Sequence, residues 1–275
     1  MAEYLWKCSL GLSSKSRSNA NTQTELGKMG ITYRPDDDLA FLQYCTEEDI
    51  RQLAQFIIYD KDGKERIVSE IKADPTFKSL NGKPDQWRQS WKLVAGELQH
   101  FGGDTLINLL RRKGVSYREI LTDVCDKLKV KYEKKSCAYD IENQLIEKLV
   151  ELSWEKMSEA ERREALRTVD VNALAGPGVQ LIIEMIRSKG LGSLAWSSWL
   201  AQSARFAFAP FALSNIGVAG AAGFVAQRGA GAVAGPLALV ALAVPMITGA
   251  AYRVTVPAVI QIAYMRRKYE QKDRF

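Results

Sequence analysis

Histidine is nearly missing from this 275-residue chain: His100 is the only one, and the four cysteines, Cys8, Cys45, Cys125 and Cys137, form no CxxC pair. A zinc site of the usual kind needs three or four Cys or His ligands at recognisable spacings, so no metal cofactor is expected. A Ser-His-Asp or Cys-His unit would depend on His100 alone. No glycine-rich loop sits between a strand and a helix, which removes nucleotide binding, and no cofactor of any kind is expected. Widely spaced thiols fit a reducing cytosol, and the short apolar start, with Glu3 and Lys7 inside it, does not read as an export signal. Alternating β-branched runs are also scarce.

Charge is present but unevenly placed. Residues 1–189 carry 30 Lys/Arg against 30 Asp/Glu, whereas 190–275 carry 8 against 2, so the whole excess of +6 lies in the last third. Those cations punctuate or follow apolar sequence instead of lining a polar groove, which argues against nucleic acid and for membrane lipid. Within 190–265 the only charged residues are Arg205, Arg228 and Arg253, and uncharged runs of 22 residues (206–227) and 24 residues (229–252) result. Either is long enough to span a bilayer as a helix.

Residues 1–32 are rich in Ser, Asn and Thr and are expected to be flexible. From 33 to 189 the punctuation is helical. Asp36–Asp38 offer N-cap acceptors before Leu39, Phe41 and Leu42. Thr46 followed by Glu47, Glu48 and Asp49 opens a helix with Ile50, Leu53, Ala54 and Ile57 on one face, which ends at the turn Asp60–Gly63. Pro84 starts a helix through Trp87, Trp91, Val94, Leu98 and Phe101, stopped by Gly102-Gly103, after which Asp104 caps the next. Ser116 with Glu119, and Ser158 with Glu161, have capping-box spacing. The expectation is an all-α cytoplasmic multi-helix domain.

The segment 190–265 reads as a Gly/Ala-rich, membrane-associating helical hairpin that turns near Arg228-Gly229. Trp196, Trp199, Arg205, Arg228, Tyr252 and Arg253 are its expected interfacial residues, and Arg266, Arg267 and Lys268 the positive-inside flank that opens a basic tail, 266–275. Gly217, Gly220 and Gly223 recur every third residue and Gly231 to Gly235 has GxxxG spacing, a pattern that lets helices approach closely in lipid and suggests a homo-oligomer. A buried Ala/Gly-rich helix pair inside a soluble protein is the competing reading, since Pro210, Pro236, Pro245 and Pro257 interrupt the runs.

One constellation could carry acid–base or metal chemistry. In Gly96–Asp104 (GELQHFGGD), Glu97 and His100 stand three apart on a helix, with Asp104 beyond the glycines. Capping and packing explain them equally well, and no further ligand is near in sequence. The three aspartates 36–38 are explained by helix capping, and Trp87 and Trp91 by core packing in place of a base-stacking platform.

Three strings carry a family likeness: YR.DDDLAFL within 33–42, GELQHFGGD at 96–104, and AYRVTVPAVIQIA at 251–263. On these the chain resembles the bacterial YaaW family, over about residues 33–268. The family's members usually begin near the Tyr33 equivalent, which makes Met29 an alternative start. The family's central region is sometimes labelled similar to ubiquinol-cytochrome c chaperones, which implies a helical fold and an assembly or interaction role by analogy only. The resemblance supplies no catalytic residue. The combined expectation is a non-enzymatic interaction or chaperone-like protein, whose helical domain binds a protein partner and whose C-terminal segment anchors it at the bacterial inner membrane. A pore-forming stress or defence effector and an enzyme using Glu97 and His100 are the alternatives.

Overall fold

The computed structural model describes residues 32–59, 65–66, 69–102, 114–156, 159–160, 162–163, 178–189 and 251–272. Among them are eight α-helices, two short 3-10 turns (Ala40–Tyr44 and Ile71–Ala73) and no strand, so the fold class is all-α.

Helix α1, Glu47–Ile58, starts at a complete capping box. The Thr46 hydroxyl accepts from the Asp49 amide and the Asp49 carboxylate accepts from the Thr46 amide, both at 3.3 Å. Its Ile50, Leu53, Ala54 and Ile57 are all fully buried. Helix α2, Pro75–Ser79, is capped by Asp74, with proline at its first position.

The single helix expected from Pro84 to Phe101 is divided into α3, Gln86–Gln89, and α4, Trp91–Gly102. The Ser90 amide donates to the carbonyls of both Gln86 (3.1 Å) and Trp87 (3.0 Å), which tightens the last turn of α3. The two tryptophans then serve different contacts: Trp87 packs on Phe77 at 4.6 Å and Trp91 meets Tyr33 edge-on at 5.3 Å. Glu47 of α1 caps the start of α3 by accepting from the Trp87 and Arg88 amides (3.1 and 2.8 Å). That interaction joins residues 40 apart and has no local signature.

Helix α5, Tyr117–Lys127, has the expected Ser116–Glu119 capping box. Helix α6, Ala138–Lys156, follows, and α7, Gly178–Lys189, packs against it. A side chain at Gly178 would meet the Trp154 ring at 2.4 Å, so only glycine permits that approach.

Helix α8, Tyr252–Lys272, lies at the centre and packs on α1, α4, α5 and α6. Val254, Val256, Ala258, Val259, Ile260, Ile262, Ala263 and Met265 are all fully buried, as expected for a helix that is apolar on every side. Residues 252–265, grouped on sequence with the membrane segment, therefore belong to the core of the helical body, and 266–272 extend that helix in place of a tail. The physical reason is that a dry protein core and a bilayer select the same apolar residues. Among the described residues no helix is long and apolar enough to cross a membrane. The two long uncharged runs lie outside the described residues, apart from the last two residues of the second.

Candidate functional site

Helix α8 carries four buried polar or charged residues, Thr255, Gln261, Arg266 and Arg267. Arg266 is only 1% exposed. Its Nε donates to Glu142 Oε2 at 2.7 Å, and its Nη2 donates to Glu142 Oε1 at 3.1 Å and to the Asp38 carbonyl at 2.6 Å. The guanidinium also lies 4.3 Å over the Phe41 ring. Tyr117 completes the group by donating its hydroxyl to Glu142 Oε1 at 2.7 Å. Burial raises the Glu142 carboxyl above its ordinary value against the pull of Arg266, and burial beside Glu142 holds the Tyr117 phenol well above its own. Two and three residues on, Lys268 donates to both oxygens of Asp49 (2.8 and 3.0 Å), and the Tyr269 hydroxyl donates to Asp49 Oδ2 (2.9 Å) while accepting from the Thr46 amide (2.7 Å). Burial opposes the Asp49 charge, but Lys268 and the hydroxyls of Thr46 and Tyr269 outweigh it and hold that carboxyl below its usual value. Arg267 Nε reaches Asn143 at 2.5 Å, and Gln261 of α8 meets Gln52 of α1 at 3.4 Å.

These contacts form a seam that fixes the register of α8 against α1, α5 and α6. Arg266 is committed to a carboxylate, a carbonyl and a ring. This is the chemistry of an anchor that holds a helix in register.

The expected interfacial flank is thereby corrected for its C-terminal part. Arg266 and Arg267 are buried and Lys268 is half-buried against Asp49, because each finds a partner in the helical body. Tyr252 is half-buried with the Lys127 ammonium 5.0 Å from its ring, and Arg253 is exposed. Trp196, Trp199, Arg205, Arg228, Gly217, Gly220, Gly223, Gly231 and Gly235 lie outside the described residues.

Glu97 and His100 do not converge. Glu97 is buried and accepts from the Glu70 amide at 3.2 Å, bracing the turn before Ile71, whereas His100 is exposed. Burial pushes the Glu97 carboxyl up to about 7. Asp104 and the proposed caps Ser158 and Glu161 lie outside the described residues. Asp36 does more than cap the turn that follows it: its Oδ2 accepts from the Tyr117 amide at 2.7 Å and so also caps α5, 81 residues away. Its other oxygen accepts from the Asp38 amide at 2.9 Å. Among the described residues no group of three or more His, Cys, Asp or Glu could hold a metal ion. Cys45 and Cys125 are buried, with the Cys45 thiol donating to the Phe41 carbonyl at 3.8 Å, and Cys137 is half-exposed.

Glu142 and Tyr117 went unsingled in the sequence, and Asp49 was read only as a helix-opening acid, because each sits at a helical position that a surface residue could equally fill. The only available signal was a carboxylate on an otherwise apolar face, Glu142 next to Ile141 and one turn before Leu145 and Ile146.

Residues 33–67 match a family model described as "Domain of unknown function (DUF3944)", the stretch that contributes Asp36, Asp38, Phe41, Thr46 and Asp49 to the seam. The chain is 40% identical over 241 residues to the UPF0174 protein YaaW of Escherichia coli K12, covering 87% of this chain and 97% of that protein. It is 30% identical over 250 residues to a UPF0174 protein of Helicobacter pylori J99, covering 88% and 96%. Matches of that length extend past residue 189 into the apolar segment. No solved structure matches.

Proposed function

The chain belongs to the UPF0174 family, with YaaW of Escherichia coli among its relatives, and we propose that it is a non-enzymatic, membrane-associated interaction protein. In this reading a cytoplasmic helical body binds a protein partner, and the apolar segment inserts into the inner membrane as a hairpin and supports self-association. One observation carries it: residues 190–250 hold just two charges, Arg205 and Arg228, and are bracketed by α7 and α8, which both pack on α6. A segment that leaves and rejoins one helical body crosses a bilayer an even number of times. Runs of 22 uncharged residues each, 206–227 and 229–250, separated by Arg228, suit two crossings. Polar and aromatic residues then fall at the ends of the runs, where the interface favours them. An enzymatic reading through Glu97 and His100 loses its support, since their side chains face different surroundings.

The deciding experiment is alkaline carbonate extraction of membranes containing the full chain, with a Val240→Arg/Leu239→Arg variant beside it; residue 239 is leucine and 240 valine in the second run. The full chain is expected in the washed membrane and the variant in the supernatant, since an arginine at mid-bilayer costs about 2.5–3.5 kcal/mol. Full extraction of the unmodified chain would remove the membrane reading. Dye release from vesicles at the same protein load would favour a pore over an anchor.

A further inference from the structure

The end of α5 and the connection to α6 carry five lysines in nine residues, Lys127, Lys129, Lys131, Lys134 and Lys135, against the single acid Glu133. Four of the five, all but Lys127, are exposed, and none of those four is taken up in an ion pair among the described residues. Local bonds hold the connection in place. Lys129 takes a positive φ of 56°, which turns the chain off the end of α5, and the Val130 amide returns to the Cys125 carbonyl at 2.9 Å. Further along, Arg118 donates to the carbonyls of Lys134 and Ser136. Tyr132 donates to Asp126 at 3.0 Å. The connection therefore runs back along α5 from Lys127 to Arg118. Nine residues of helix at 1.5 Å each make that stripe roughly 14 Å long.

Its placement relative to the apolar segment is the second observation. Lys127, at the C-terminal end of α5, covers the ring of Tyr252, the first residue of α8, while Tyr117 at the other end of α5 lies 6.0 Å from the Arg266 guanidinium. Helices α5 and α8 are thus antiparallel, and the lysine stripe begins where the chain rejoins the body after residue 250. Exposed Arg253 adds a further cation at that point. Helix α7 runs antiparallel to α6, Gly178 beside Trp154 and Arg187 paired with Glu147 at 2.7 Å, so the chain departs at a different height along the bundle from its return. On the membrane reading, ends set at different heights suit a bilayer lying along the side of the bundle.

We infer that the Lys127–Lys135 stripe, with Arg253, is a docking surface for an anionic lipid bilayer, laying the helical body flat on the headgroups beside its inserted segment. This rests on the membrane reading above and adds the lipid class and the orientation. Each lysine near an anionic surface contributes about 1 kcal/mol, an attraction that falls off within a Debye length of roughly 10 Å at 0.1 M salt.

The test is flotation of the full chain with vesicles of phosphatidylcholine alone and with 30% phosphatidylglycerol, at 0.05 and 0.5 M NaCl. The variant is Lys129→Gln/Lys131→Gln/Lys134→Gln/Lys135→Gln, and a Lys78→Gln/Lys83→Gln pair, on exposed positions of the α2–α3 region, controls for charge loss elsewhere. Expected are preference for the anionic vesicles, loss of that preference at high salt, and a fall in partition on the order of several hundredfold for the quadruple variant, at about fivefold per lysine. The control should keep its partition, and circular dichroism should show the same helicity in all three proteins. Equal partition of the variant and the unmodified chain, with carbonate resistance kept, would overturn the docking surface and leave insertion standing. Lysine-dependent binding that carbonate strips would keep the surface and remove insertion. No flotation with either vesicle, or lysine-dependent retention of duplex DNA equal to that of anionic vesicles, would also overturn it.

Discussion

A buried arginine survives in an apolar interior only if its charge is balanced and its donors are used. Arg266 meets that condition through Glu142, the Asp38 carbonyl and Phe41. Arg266→Met should cost about 3–5 kcal/mol because it leaves Glu142 buried and unbalanced. Adding Glu142→Gln, which still accepts from Tyr117, should recover at least half of that in urea denaturation; equal losses in the single and double variants would show that the two charges are not coupled. Glu97 gives a pH signature of opposite sense to ordinary acid denaturation. Its carboxyl stands near 7 in the fold against an ordinary value of 4.5, so the folded state holds its proton more tightly and stability from this group falls as pH rises through that window. Relative to Glu97→Gln, the unmodified chain should lose about 2–3 kcal/mol between pH 5 and pH 8. A difference that stays flat with pH would refute the assignment. Sequence pattern flagged Glu97 for its spacing to His100, yet its role comes from the amide of Glu70, 27 residues away, which no spacing rule could reveal.

Element boundaries were the most legible part of the chain. The helix start at Thr46 and the capping box at Ser116 act over three residues, so local sequence is enough to write them and to read them. The break at Ser90 was invisible because Ser90 is a tolerable helix residue, and what divides α3 from α4 is the demand of Phe77 and Tyr33 for two differently placed tryptophans. Packing of α7 on α6 depends on Gly178 in the same nonlocal way. Gly178→Ala should force the Trp154 ring to move and cost about 1–3 kcal/mol. A lower melting temperature and faster proteolysis near residue 178 would register it, whereas a rise in stability would show that the glycine is merely a flexible start of α7.

At the scale of the molecule, α8 makes the chain close on itself. Its six larger apolar side chains, Val254, Val256, Val259, Ile260, Ile262 and Met265, are fully buried, and at about 1.5–3 kcal/mol each their burial matches the whole net stability of a typical domain. A chain ending at Lys189 should therefore show no cooperative thermal unfolding. Replacing 191–250 by a flexible Gly/Ser linker should keep the helical spectrum and a sigmoidal melt. A cooperative melt in the truncated chain would mean that α8 is dispensable. The apolar segment is thus inserted between two helices of one body, and whatever happens to it in a bilayer bears on α8 directly.

Local sequence is enough to make the described residues helical, to start α1 and α5, to leave histidine- and metal-based chemistry little to work with, and to keep charge out of two long runs. Each of these follows from composition or from interactions across a few residues. The tertiary structure alone decided that Val254 to Met265 fill a protein core, that Arg266 and Lys268 pair with Glu142 and Asp49, and that Asp36 caps α5. The reason is physical: an apolar side chain gains about as much from a dry core as from lipid, and a cation followed by another reads as a solvated flank until a carboxylate more than a hundred residues away is folded against it.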